Sequence, residues 1–69
     1  MTLRELREDK KISRQEVADL LCVSLSAMSN YENGHRHINI EQVLILKDLY
    51  KVSAEDIIQA QLNSHQYDL

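Results

Sequence analysis

The sequence contains no proline and a single glycine. Strand-rich chains use both residues at their turns, so this scarcity points to helices joined by short connections. No strand is expected. Phenylalanine and tryptophan are also absent, which leaves an aliphatic core. One cysteine, Cys22, excludes an internal disulfide and any cysteine zinc cluster. His35, His37 and His65 have no Cys or carboxylate cluster at ligand spacing, so no metal and no cofactor is expected. No apolar run approaches the ~20 residues of a membrane span, and TLRELRED after Met1 lacks the apolar segment of a secretory signal. A reducing cytoplasm is the expected location. No glycine-rich phosphate loop, nucleophile elbow or metal triad is present, which speaks against an enzyme.

What remains is one small, helix-forming unit of 69 residues with 43% hydrophobic residues. A chain of this size buries only about 60% of its unfolded surface, so it needs good packing or a partner subunit. Its net charge of −3 is unevenly placed. Arg4, Arg7, Lys10, Lys11, Arg14 and Arg36 balance the acids of residues 1–37, and the acidity sits beyond them. The distribution, more than the total, bears on an anionic partner.

The densest signal is SRQEVADLLCVSLSAMSNYENG, from Ser13 to Gly34. Ser13 with Glu16 forms a capping box that starts a helix at Arg14. Val17, Ala18, Leu20 and Leu21 supply its apolar stripe. Cys22-Val23 breaks the pattern, and Ser24 caps a second helix. That helix sets Met28 and Tyr31 on one face and Leu25, Ser26, Ser29, Asn30 and Asn33 on the other. Gly34 is its left-handed stop. Two helices across so short a turn make a helix-turn-helix, a motif that lays its second helix in the DNA major groove.

Around this pair, Thr2 with Glu5 caps a helix from Leu3 to Asp9 or Lys10, with Leu3 and Leu6 inward. Ile12 drops into the core. Asn39 caps a helix from Ile40 to Tyr50 with Ile40, Val43, Leu44, Leu46, Leu49 and Tyr50 as its apolar positions and Ile45 as an extra. Ser53 with Asp56 starts a last helix, Ala54 to about Leu62, burying Ile57 and Ile58. The expected division is a domain of residues 1–62 and a polar tail, 63–69, with Tyr67 and Leu69 isolated in it.

From LRELREDKKIS to YKVSAEDII the chain resembles the lambda-repressor/Cro class of helix-turn-helix regulators, the XRE family, without insertion. The resemblance implies an all-α, compact five-helix lambda-repressor-like domain. It implies a sequence-specific regulator of double-stranded DNA in a bacterial or phage-infected cell, associated with the nucleoid. A repressor that binds a palindromic operator as a homodimer is the expected form. By position, Leu25, Ser26, Ala27 and Asn30 would read bases. Arg14, Ser24, Asn33 and Arg36 would grip phosphates. Arg7 and Glu32 match a buried ion pair between the first and third helices. Arg14 has a reason of its own: a cation at a helix N-terminus opposes the dipole unless an anion is bound there. Asn30 carries an amide that suits adenine N6 and N7.

The chain also departs from the family pattern. Cys22, Lys11 and Lys51 stand where glycines are usual, and Ile38 replaces a proline. Leu25 occupies a reading position that is often polar. Cys22 is expected to be an inert thiol in the turn. Ile45, Ile58 and Leu62 are candidates for the dimer interface. The rival reading is a protein-interaction module of the same fold, either an antitoxin or a regulator whose main surface binds another protein.

Overall fold

A computed structural model describes residues 1–65. Five helices follow one another: α1 (Leu3–Asp9), α2 (Arg14–Leu21), α3 (Leu25–Glu32), α4 (Ile40–Tyr50) and α5 (Ala54–Ser64). Among the described residues there is no strand. The starts are set by local chemistry. The side chains of Thr2, Ser13, Ser24, Asn39 and Ser53 each accept a bond from the amide three residues on. In four of the five the residue at that third position bonds back to the cap, completing a box; Gln42 does so for Asn39. α3 is the exception, because Ala27 has nothing to return.

The ends repeat a three-residue device. Lys11, Cys22 and Lys51 all sit in the left-handed region, with φ of 57°, 57° and 56°. Each is followed by a β-branched apolar residue, Ile12, Val23 or Val52, that packs against the core. Each of those is followed by the serine that caps the next helix. A left-handed residue reverses the chain, its apolar successor closes on the helix just ended, and the serine restarts. Side chains other than glycine pay roughly 1 kcal/mol for this conformation. Cys22→Gly is therefore expected to raise the melting temperature by a few degrees. Differential scanning calorimetry reads this directly, and no rise would mean that Cys22 makes compensating contacts.

The core draws on every helix. Leu3, Val17, Met28, Leu46, Tyr50 and Ile57 are all essentially sealed from solvent. α2 packs on α3, α4 on α5, and α1 and α3 both lean on α5. The amphipathic stripes are narrower than the sequence suggested. Leu20, Ile40, Leu44 and Ile58 are exposed. Successive residues turn by roughly 100°. Once Val17, Ala18 and Leu21 face inward, Leu20 is carried off the stripe; Val43, Leu46 and Tyr50 do the same to Ile40 and Leu44. On α5 the buried positions are Ile57, Ala60 and Ser64 rather than Ile58.

One side chain and one boundary also differ from expectation. Cys22 is exposed rather than enclosed in the turn. α5 runs through Ser64, whose hydroxyl donates to the Ala60 carbonyl at 2.9 Å and accepts the Leu3 amide at 3.3 Å. Asn63 and Ser64 are therefore helical. The expectations for Tyr67 and Leu69 lie outside the described residues.

Candidate nucleic-acid interface

The helix-turn-helix packs α3 on α2, with Met28 and Tyr31 of α3 buried beneath it. The Tyr31 hydroxyl accepts a bond from Gln42 Nε2 at 3.2 Å, which ties α3 to α4. Ser24, Leu25 and Ser26 open the helix on its exposed side, Leu25 with 44% of its surface free. The Ser24 hydroxyl is engaged as the cap, accepting the Ala27 amide at 3.0 Å. Ala27, expected among the base readers, is half-buried and packs partly on the core. Asn30 is half-buried, and its carbonyl receives the amides of His35 and Arg36 at 2.9 and 3.3 Å. Asn33 is exposed at the C-cap.

Arg36 lies in the loop that leaves α3, with its guanidinium carbon 5.4 Å from the Tyr31 ring centroid. Such a cation–π contact orients a long, exposed side chain. The loop is seated on α5. The Ile38 amide donates to Gln61 Oε1, and the His37 and His65 rings stack with centroids 4.1 Å apart. Gly34 begins the loop at φ 83° and lies against the backbone of Ser64.

Arg7 and Glu32 form the expected pair. Arg7 Nε donates to Glu32 Oε2 at 2.6 Å, Nη2 to Oε1 at 3.3 Å, and Nη1 to the Ile12 carbonyl at 2.9 Å. The bond to Glu32 raises the Arg7 pKa above its ordinary value, against the opposing effect of burial. Tyr50 lies close enough for Glu32 and Arg7 to act on its phenol. Burial pushes that phenol up, Glu32 adds to the rise, and Arg7 opposes it.

Arg14 is where the structure adds to the sequence. Its Nε lies 3.4 Å from Glu32 Oε1, and its Nη1 donates to the Ser29 hydroxyl at 3.1 Å. The side chain is 38% exposed while that of Glu32 is 1% exposed. The anion that a cation at this helix start calls for is thus supplied in part from within the domain. The signal for this in the sequence was faint: Ser29 and Glu32 are one turn apart on α3, on the side that α2 must cross.

Leu25, Ser26, Asn33 and Arg36 share an exposed surface of α3 and its following loop, with Arg14 half-exposed beside it. Ile45, Ile58 and Leu62 are exposed elsewhere, on α4 and α5. No group of three or more His, Cys, Asp or Glu residues that could hold a metal occurs among the described residues. No described helix is long and apolar enough to cross a membrane.

A helix-turn-helix family model matches residues 3–57. The HTH-type transcriptional regulator AnsR of Bacillus subtilis is 36% identical over 56 residues, covering 81% of this chain and 48% of that protein. A protein of Methanothermobacter thermautotrophicus, named for HTH-type transcriptional regulation, is 37% identical over 51 residues, 74% of this chain and 16% of its own. The HTH-type transcriptional activator BcrR of Enterococcus faecalis is 25% identical over 59 residues, 86% of this chain and 29% of its own. The chain spans about half or less of the length of these relatives. No solved structure gives a significant match. Five capped helices, an exposed α3 in a helix-turn-helix, and a family match across nearly the whole chain agree: it belongs to the lambda-repressor-like (XRE) helix-turn-helix family of transcriptional regulators.

Proposed function

We propose that the chain binds a specific double-stranded DNA operator and acts as a repressor by occupying it as a homodimer. The observation that carries this reading is the outer face of α3. It offers Leu25 and Ser26 to solvent at its start, with Asn30 one turn on. Among the described helices α3 alone has no acidic residue in its first turn; Glu5, Glu16, Glu41 and Glu55 occupy the others. An acid there would repel a phosphate that the helix dipole otherwise attracts. Leu25 meets thymine methyl groups, and Ser26 and Asn30 bond to base edges. Ser24, Asn33 and Arg36 lie on the phosphates on either side and set the register, while Arg14 is drawn onto Ser29 and Glu32. Ala27 contributes only the exposed edge of its methyl.

One such module reads few bases, and a two-fold dimer doubles them. Ile45, Ile58 and Leu62 provide exposed apolar area for that contact. The protein works in the cytoplasm, on the nucleoid, with no membrane partner, no cofactor and no catalysis. The experiment is selection of bound duplexes from a random pool. It should enrich a palindrome whose half-sites are about 34 Å apart or a multiple of that. Asn30→Ala should then cost about 1–3 kcal/mol and relax one base position in each half. An enriched site without two-fold symmetry would remove the dimer. No enriched site at any salt would hand the surface to a protein partner.

A further inference from the structure

Arg14 has two roles open to it. It can lie on a phosphate as a free surface cation, or it can hold the recognition helix. Its contacts favour the second. Nη1 bonds to Ser29, and Nε pairs with Glu32 Oε1 at 3.4 Å without the alignment of a hydrogen bond; the two residues are one helical turn apart on α3. Two anchors about 4.5 Å apart along an axis fix the tilt of a helix as well as its distance. α3 has only eight residues, too few to hold its own shape without packing. On its inner side Met28 and Tyr31 fix its depth. The other lateral restraint on this network is Arg7 from α1, which meets the same Glu32 carboxylate. α1, α2 and α3 therefore converge on one carboxylate. Arg14 is the member of that network that reaches from the start of α2 to the middle of the recognition helix.

We propose that Arg14, acting through Ser29 and Glu32, is a positioning residue for sequence readout: it sets the tilt at which α3 enters the groove. Ser29 is a specificity determinant that touches no base. The proposal rests on the DNA-binding reading above. Arginine suits the task because its extended guanidinium bonds to Ser29 with one nitrogen while another lies beside the Glu32 carboxylate, whereas lysine brings the same charge to a single point. Loss of one charge-assisted anchor should lower discrimination about three- to ten-fold. It should leave attraction to the phosphate backbone in place.

The test uses the full chain, its selected operator and a scrambled duplex of equal length. Dissociation constants are measured for wild type, Ser29→Ala, Arg14→Lys, Arg14→Ala and the Ser29→Ala/Arg14→Lys double variant, with the salt dependence of each and a thermal melt to confirm folding. Ser29→Ala and Arg14→Lys should each bind the operator more weakly while binding the scrambled duplex as wild type does. Their salt slopes should be unchanged, because the charge count is kept. The double variant should be no worse than the poorer single one, because both break the same strut. A folded Ser29→Ala that discriminates as wild type does would overturn the proposal. So would an Arg14→Lys indistinguishable from wild type alongside an Arg14→Ala that weakens both duplexes equally, since that marks a plain phosphate contact. Wild type with no preference for any duplex would instead sink the DNA-binding reading itself, and this proposal with it.

Discussion

Glu32→Ala should leave the domain largely unfolded at room temperature and neutral pH. The carboxylate is 1% exposed and stands between two guanidiniums, Arg7 and Arg14. Removing it leaves Arg7, itself buried, facing the vacancy with only the Ile12 carbonyl. An uncompensated buried charge costs about 3–5 kcal/mol. A domain of this size holds on the order of 3–10 kcal/mol in total, so the loss is most of the reserve. Arg14 adds little to the penalty, since its side chain is partly exposed and swings to water. Replacing both members of the deep pair, Arg7→Met with Glu32→Leu, should recover much of the loss, because apolar residues of similar volume need no partner there. Circular dichroism and urea midpoints of the three proteins give the comparison. If the single variant melts as wild type does, the pair contributes nothing and the account of how α1 holds α3 is wrong.

Gly34→Ala should cost about 2–5 kcal/mol, combining backbone strain with overpacking. At φ 83° a side chain is strained whatever the space around it. There is also no space: a Cβ at Gly34 would lie 2.3 Å from the Ser64 carbonyl oxygen and 3.0 Å from its carbon. Both are backbone atoms of α5, so shortening a neighbouring side chain gives no relief. The melting temperature should fall by roughly 10 °C or more, since each kcal/mol is worth about 4–8 °C in a domain of this length. Ser64→Gly in the same protein should not restore it. DNA binding should weaken beyond the loss of stability, because the displaced loop carries Arg36. A melt within two or three degrees of wild type would show that α5 yields cheaply at its end.

These two residues differ in how far the sequence announced them. Gly34 was legible as a helix stop, because a lone glycine after Asn33 marks a left-handed turn. That the same glycine bears on Ser64, thirty residues on, was not legible, since nothing local records which helix end lies beneath a loop. The Arg7–Glu32 pair was available only by resemblance to a family. Arg14 stood out in the sequence as a cation in need of an anion, and Glu32 of the same chain lies beside it.

The helix starts, the glycine stop at Gly34 and the order of the five helices were determined by the sequence alone. Each depends on residues within three or four positions of one another: a serine and the amide it accepts, a chain reversal and the apolar residue after it. Tertiary structure decided the rest. It left Leu20, Ile40, Leu44 and Ile58 in solvent, half-buried Ala27, exposed Cys22 and drew Arg14 onto Ser29 and Glu32. The physical reason is that hydrogen bonds at helix ends are short-range and specific. Burial depends instead on which of several equally apolar positions a neighbouring helix happens to cover, and that is set only when all five are packed together.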